Sequence, residues 1–338
     1  MINSDSFALE ITDSALKIFD GQINQNDIEV KNISLVDNLP FLFFSQETPD
    51  IRKKLAEIIK ETLARLKINK RKVNLVIPDT YTYSQIISMP MLNEKELISA
   101  IKYQADQFIP LPIEEINIDL QILSRNEKEK TLLVLVVAAS KKLVNKIEET
   151  IELSNLIPNI LENQLSSFAR FASKFSFSFP QNVSQKIAFI NFGQFSTSLY
   201  LFDRSTALIS KIHTFNLGYN LFFKEMQVNT ALDNNKISEL FLSFDLKNKN
   251  PIDLELTISP VIKQFVLEIK KSLMPDISSF LIGEVFRFPA LPALLSKNIS
   301  PASFSIFNPY SIFKSNPQID HYKNLLPFFV TTFGSQIE

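Results

Sequence analysis

Cysteine is absent from the 338-residue chain. Disulfides, thiolate metal sites and thiol nucleophiles are thereby excluded, and the absence is compatible with a reducing cytosol. Long apolar stretches are missing too. The longest uninterrupted one, 132–139, is far too short to span a bilayer and reads as a buried strand. No basic segment followed by an apolar run stands at the N-terminus, so no secretory signal is expected. Neither sign of charge dominates: 35 Lys and Arg against 36 Asp and Glu leave a net charge of −1, which offers no electrostatic argument for nucleic acid or an acidic membrane as partner. Histidine is limited to His213 and His321, neither with a Cys or a suitably spaced acid to complete a metal site, and no Gly-x-Ser-x-Gly elbow supports a hydrolase triad. Glycine is the most informative shortage. The chain has 5, where average usage would give about 24. Glycine lets a backbone turn tightly around a phosphate. A nucleotide-binding chain this poor in glycine has to keep the few it has at the right loops.

What is present fits a soluble globular protein, with 45% hydrophobic and 21% charged residues. The length allows two domains or lobes with separate cores. The most structured stretch runs from Ser88 to Leu123. Met89-Pro90 ends an extended segment. Asn93 is placed to cap a helix, and Glu96, three residues on, to reach back to its amide. Leu97, Ile101, Ala105 and Phe108 follow at spacings of three and four and give that helix one apolar face. Pro110 and Pro112 stop it, since neither ring nitrogen can donate and each forces the preceding residue out of helical geometry. Ile116, Ile118, Leu120 and Ile122 then alternate with Asn117, Asp119 and Gln121, the period of a half-buried strand. The result is an α+β unit that needs a neighbouring layer to cover its apolar faces.

Pro90-Met91-Leu92-Asn93-Glu94-Lys95-Glu96-Leu97 and Ile109-Pro110-Leu111-Pro112-Ile113-Glu114-Glu115 closely resemble, in order and spacing, a stretch of the PilM family of type IV pilus assembly proteins. That family carries Pro-x-Leu-x-Glu-Lys-Glu-Leu, a helix, and Ile-Pro-Phe-Pro-Ile-Glu-Glu before a strand, in the subdomain it shares with the cell-division protein FtsA. The resemblance implies an α/β, actin-like (ribonuclease H-like) two-lobed fold with an inserted FtsA/SHS2-like α+β subdomain. It further implies a first lobe at 1–78 and 156–180, the insert at 79–155, and a second lobe at 181–338 with 216–257 as its small subdomain.

Periodicity along the rest of the chain predicts strands at 7–11 and 15–19 around Thr12-Asp13-Ser14, a turn at Asp20-Gly21, and a helix near 50–67 with Ile51, Leu55, Ile58, Leu63 and Leu66 inward. A strand at 73–77, another at 131–138, and helices near 141–153 and 161–173 follow. Residues 174–186 read as a connector between lobes. A three-strand meander at 187–191, 196–202 and 207–215 then repeats the opening pattern. Helices are expected near 219–228, 235–243, 259–273, 289–297 and 321–333, with a strand and turn at 281–283. Two halves that begin alike are what an actin-type fold requires.

By the same resemblance, three loops should hold a nucleotide. Two hairpin turns would wrap phosphates with backbone amides, a carboxylate beside each would hold Mg²⁺ through water, and a Gly-rich turn would meet the adenosine. The family's Asp-Ile-Gly-Ser-Ser-Ser-x-Lys is here Glu10-Ile11-Thr12-Asp13-Ser14-Ala15-Leu16-Lys17. Glu10 is the candidate metal-holding acid and Lys17 is in place. Thr12 replaces the glycine with a branched side chain that crowds a phosphate, and Asp13 adds negative charge where a polyanion would sit. The second loop, Asn191-Phe192-Gly193-Gln194-Phe195-Ser196-Thr197, keeps Gly193 and Thr197 but has the uncharged Asn191 for the acid. The third, Ile282-Gly283-Glu284-Val285-Phe286, keeps one glycine of three and would press Glu284, Val285 and Phe286 toward an adenine. Phosphoryl transfer depends on positioning and charge neutralisation, so the site residues Glu10, Thr12, Asp13, Ser14, Lys17, Asn191, Gly193, Thr197 and Gly283 describe a degenerate nucleotide site and a poor catalyst. No cofactor is required, and any ATP with Mg²⁺ would be held weakly.

Other features have plainer readings. Glu114-Glu115 and Glu148-Glu149 look like solvated acidic pairs. Phe168, Phe171, Phe175, Phe177 and Phe179 fit either packing between lobes or an exposed partner strip. Asn324-Leu325-Leu326-Pro327 is similar to the short N-terminal peptide by which the membrane protein PilN docks in the family, but it falls in the terminal helix region. The function implied is that of a cytoplasmic scaffold, not an enzyme, peripheral at the inner face of the inner membrane. It would bind the N-terminal cytoplasmic peptide of a PilN-like protein in a groove between the first lobe and the insert, as a short segment in a preformed groove. Self-association is permitted; nucleic-acid binding and direct membrane insertion are not expected. The alternatives are an ATP-binding actin-like switch in which nucleotide modulates partner binding and, with least support, a sugar-kinase-like enzyme.

Overall fold

Two five-stranded sheets of the same topology carry the fold. The computed structural model describes residues 5–104, 109–180, 183–246, 253–273 and 277–337. Ala105 and Phe108, expected on a helix face, lie outside the described residues. Residue contacts divide the chain into a first unit, Met1–Asp20 with Ser34–Ser166, and a second, Gly21–Ile33 with Ser167–Glu338.

In the first sheet, β1 (Ser6–Ile11) pairs antiparallel with β2 (Leu16–Ile23) and parallel with β4 (Lys72–Ile77). β8 (Ile157–Asn163) continues parallel to β4, and β3 (Ile28–Val36) completes the order β3-β2-β1-β4-β8. The second sheet repeats this element for element. β9 (Lys186–Phe192) pairs antiparallel with β10 (Thr197–Asp203), which pairs antiparallel with β11 (Leu208–Phe215). β12 (Ser278–Gly283) is parallel to β9, and β13 (Ser303–Ile306) to β12, giving β11-β10-β9-β12-β13. The duplication fixes equivalent positions by register. Glu10 lies opposite Lys17 in the first sheet, and Asn191 opposite Ser198 in the second.

The inner strands β1 and β9 read as near-continuous apolar runs because helices and loops cover both of their faces. Over the first sheet lies α1 (Pro49–Leu66), whose stripe is Ile51, Leu55, Ile59 and Leu63. Ile59, fully buried, takes the place expected for Ile58, because the stripe runs in steps of four from Ile51; Ile58 and Leu66 are half-buried at its edge. α3 (Lys141–Leu153) buries Ile147 and Ile151 into the same core, and Ser140 caps it by accepting from the Leu143 amide at 3.2 Å. In the second unit α5 (Tyr219–Asn229), α6 (Asn234–Ser243), α7 (Leu254–Thr257), α8 (Ser259–Lys270) and α9 (Leu291–Asn298) build one core through Phe222, Phe241, Phe265 and Leu294.

Between β4 and β8 the chain makes an α+β excursion. β5 (Thr82–Pro90), β6 (Ile116–Asn126) and β7 (Thr131–Ser140) form an antiparallel sheet of order β5-β7-β6. α2 (Glu94–Gln104) lays Leu97 and Ile101 on Met89, Leu132, Val134 and Val136. The cap read from sequence closes in both directions: the Asn93 amide donates to Glu96 at 2.9 Å, and the Glu96 amide to the Asn93 side chain at 3.1 Å.

The structure departs from the expected elements in three further places, and it decides the reading of the phenylalanine cluster. Asp20-Gly21 is not a turn, because β2 continues to Ile23 while Asp20 is buried and paired with Lys70 at 2.7 Å. The reversal comes at 24–27, where the Asn24 amide donates to the Asp27 carbonyl. The helix expected from 161 begins at Gln164 as α4 (Gln164–Phe175), since 157–163 is β8. Phe168, Phe171, Phe175 and Phe179 are buried, so they are core and only Phe177 is exposed. The terminal helix is two helices, α10 (Pro317–Tyr322) and α11 (Leu326–Gly334). Pro327 has no amide hydrogen to continue a helix from Tyr322 and suits a first turn instead. Leu326 is fully buried, so Asn324–Pro327 is the start of a core helix and not a displayed peptide.

Candidate functional site

The turn between β1 and β2 closes on itself through Thr12. Its amide donates to the Ala15 carbonyl at 2.9 Å, and its hydroxyl oxygen accepts from the Ala15 amide at 3.0 Å. Glu10, one step back on β1, is fully buried, and its Oε1 is 2.6 Å from the equally buried Lys17 ammonium. The Gln164 side-chain amide, at the first turn of α4, donates to the same oxygen at 2.7 Å. The charge of Glu10 is therefore met inside the protein. Asp13, 5% exposed, accepts a short hydrogen bond from the Tyr81 hydroxyl. Burial first, and then the Asp13 carboxylate, push the Tyr81 phenol well above the ordinary tyrosine range. Ser14 is buried in the same turn.

In the second unit the corresponding turn uses its glycine. The Gly193 amide donates to the Ser196 carbonyl at 2.9 Å. The carbonyls of Gly193 and Gln194 accept from the Tyr219 and Asn220 amides at 3.0 and 2.8 Å, so the turn caps the start of α5. A side chain on Gly218, the residue before α5, would lie 2.5 Å from both carbonyls. Thr197 donates its hydroxyl to the Leu217 carbonyl at 2.6 Å, and the Asn191 amide donates to the Tyr200 hydroxyl at 3.3 Å. Gly283, at the end of β12, has φ +82°, and a Cβ there would meet Asn191 Oδ1 and the Phe192 carbonyl at 2.5 Å. Gly283 thus lets β12 lie against Asn191. Glu284 and Val285 turn into the fold: Glu284 is 2% exposed and pairs with Arg287 at 2.7 Å.

These donor sets fit Mg²⁺-triphosphate poorly. In the first unit the carboxylate is neutralised by Lys17 and held by Gln164; in the second its register equivalent is an amide. The amides of Thr12, Ala15 and Gly193 are spent within their own turns, and those of Tyr219 and Asn220 on the Gly193–Gln194 carbonyls. Among the described residues no group of three or more His, Cys, Asp or Glu is placed to hold a metal. The structure brings Glu10, Thr12, Asp13, Ser14 and Lys17 together in the first unit, and Asn191, Gly193, Thr197 and Gly283 in the second. Gln164 was invisible to sequence reasoning, being 154 residues from its partner Glu10.

A second site lies wholly in the first unit. A cavity of about 220 Å³ opens where the host sheet meets the inserted subdomain. Phe44, Tyr81, Tyr83, Leu111 and Leu143 form its apolar part, and Thr80, Ser140 and Lys146 its polar part. At the rim Glu47 and Lys142 pair at 3.3 Å. Lys146 is 4% exposed. Its ammonium donates to the Phe43 and Gln46 carbonyls at 2.5 and 2.6 Å and sits 4.8 Å above the Phe43 ring. Burial pulls its pKa below the ordinary lysine value. The Phe44 ring stacks on Tyr81, with centroids 4.3 Å apart and planes 19° from parallel. A trough of mixed lining, with one buried cation and a paired rim, suits a short segment offering apolar side chains and main-chain carbonyls.

Comparison with known proteins agrees with this architecture. A family model described as type IV pilus assembly protein PilM matches residues 9–235. A solved PilM-PilN type IV pilus biogenesis complex superposes with a TM-score of 0.82 at 21% identity, over 99% of this chain and 98% of that one. The ethanolamine utilization protein EutJ from Carboxydothermus hydrogenoformans superposes with a TM-score of 0.54 at 7% identity, over 98% of this chain and 88% of that one. At such identities the likeness bears on the fold, which is the actin-like α/β fold.

Proposed function

The chain belongs to the PilM family of type IV pilus assembly proteins, and we propose that it is a non-enzymatic scaffold whose first unit receives the N-terminal cytoplasmic peptide of a PilN-like membrane protein. The observation that carries this reading is the trough between Phe44, Tyr81, Tyr83, Leu111 and Leu143. Its lining suits apolar peptide side chains, and the Lys146 ammonium, with two of its three hydrogens on carbonyls, has a third to give to a peptide acceptor. A PilM-PilN complex of the same fold supports a PilN-like partner. Among the described residues no helix is long and apolar enough to cross a membrane, and the proposed location is the cytoplasmic face of the inner membrane, reached through that partner.

Nucleotide binding is weakened or lost in this reading. Its support is the internally neutralised Glu10 and the uncharged Asn191. The competing reading, a nucleotide-dependent switch, draws on the retained glycines Gly193 and Gly283 at their close approaches. Two calorimetric titrations separate them. A synthetic N-terminal peptide carrying Asn-Leu-Leu-Pro should bind in the micromolar range and Mg-ATP should give no heat. Micromolar Mg-ATP binding would favour the switch, and no peptide binding would remove the docking assignment.

A further inference from the structure

We infer that Asp13 is a positioning residue for the trough: by holding the Tyr81 hydroxyl it fixes the aromatic wall against which the peptide lies. The inference rests on the trough being the peptide site. Asp13 itself lies in the β1–β2 turn, not in the trough lining. Thr12 closes the turn through the Ala15 amide and carbonyl. The Asp13 carboxylate accepts from Tyr81, 68 residues away.

Tyr81 is well placed to transmit that hold. It ends the helical turn Asp79–Tyr81, directly before β5 begins at Thr82, so it marks the junction of host and insert. Its ring stacks on Phe44 and lines the trough with it. Ser45 offers a hydroxyl to the same phenol oxygen, which ties the 43–46 segment to Tyr81 a second time. On the far side of that segment Lys146 grips the Phe43 and Gln46 carbonyls. The wall is therefore clamped from α3 by Lys146 and from the β1–β2 turn by Asp13. Without Asp13 the Tyr81 ring keeps only the Ser45 contact and the Phe44 stack, and a wall held less firmly must be ordered when a ligand binds. Through the same contact a seated peptide should in turn quiet the Thr12–Ala15 backbone, since coupling between sites is reciprocal.

The test is a double-mutant cycle read by calorimetry with the Asn-Leu-Leu-Pro peptide on the full chain, together with amide hydrogen exchange at residues 12–15. Asp13→Ala and Tyr81→Phe should each weaken peptide binding by about tenfold, the effect of losing one charge-assisted hydrogen bond. The double variant should be no weaker than Tyr81→Phe alone. Asp13→Asn, which keeps an oxygen acceptor, should recover part of the loss. Peptide saturation should slow exchange at 12–15 in the wild type and not in Tyr81→Phe. Wild-type affinity in a folded Asp13→Ala variant, or additive losses in the cycle, would overturn the positioning role while leaving the docking site intact. Failure of the wild type to bind the peptide would overturn both.

Discussion

The Lys17 ammonium lies 2.6 Å from the Glu10 carboxylate, across directly paired positions of β1 and β2, with both side chains excluded from solvent. Loss of either leaves the other's charge without its counter-ion inside the first unit. Lys17→Met should cost about 3 kcal/mol of unfolding free energy, the low end for breaking a buried pair, because the Gln164 amide still partners Glu10. Urea unfolding monitored by circular dichroism measures it. A cost under about 1 kcal/mol, the surface-pair range, would show that the pair contributes little.

Gly283 should tolerate no side chain. Its φ of +82° is one that non-glycine residues rarely adopt, and a Cβ would strike Asn191 and the Phe192 carbonyl. Gly283→Ala should lower stability by roughly 3 kcal/mol from strain and collision together. The Asn191→Ala, Gly283→Ala double variant should regain part of this, because one of the struck atoms is gone. Thermal and urea unfolding of the three proteins make the comparison.

Tyr81 and Lys146 give alkaline stability two opposing contributions. The phenol of Tyr81 is raised above the ordinary 10.0. Its contribution is fully present below pH 10 and is lost as pH rises past that value, where the unfolded chain ionises and the folded one does not. Lys146 is lowered below its ordinary 10.5, so the unfolded chain binds more protons than the folded one between that lowered value and 10.5, and stability rises with pH across that window. Tyr81→Phe should flatten the alkaline fall, and Lys146→Met should remove the preceding rise. Urea midpoints from pH 8 to about 11.5 bracket both ordinary values.

The reciprocal cap at the start of α2 should be worth about 1 kcal/mol. Asn93→Ala should cost that amount and Asn93→Ser much less, read as faster amide exchange at Leu97 and neighbouring residues of the helix.

What the sequence made legible was local. The Asn93–Glu96 cap spans three residues, and the alternation of Ile116 through Ile122 needs no partner to be recognised. The paired meanders at 7–19 and 187–215 followed from apolar runs broken by turn residues. The long-range chemistry could not be read in this way. Glu10 meets Gln164, Asp13 meets Tyr81, and Lys146 meets carbonyls 100 residues or more away. Lys146 stands among Lys141, Lys142 and Glu148 and has the pattern of a solvated face, yet it is the one turned inward. The end of β8, 161–163, was taken for the start of the helix that follows it. Its outer position beside β4 leaves Ile157 and Ile160 exposed, which removes the alternation that marks a strand.

The excursion between β4 and β8 leaves and returns at one spot. Thr82 and Ala139 face each other across β5 and β7, and Asn163 pins the departure point through Thr82 and Ser84 at 3.0 and 2.7 Å. Facing residues of paired strands are about 5 Å apart, a gap that two or three residues bridge. The insert thereby has the anatomy of a cassette. Excising 82–139 behind such a bridge should leave the host sheet to fold around α1 and α3, and transplanting the same segment between other neighbouring strands should carry its core along, because Leu97, Ile101, Leu132 and Val134 close on one another. Docking alone would weaken on excision, since Tyr83 and Leu111 depart from the trough with the cassette. Exchanging the cassette would on that account retune the trough wall at Tyr83 and Leu111 without redesigning the body that bears it.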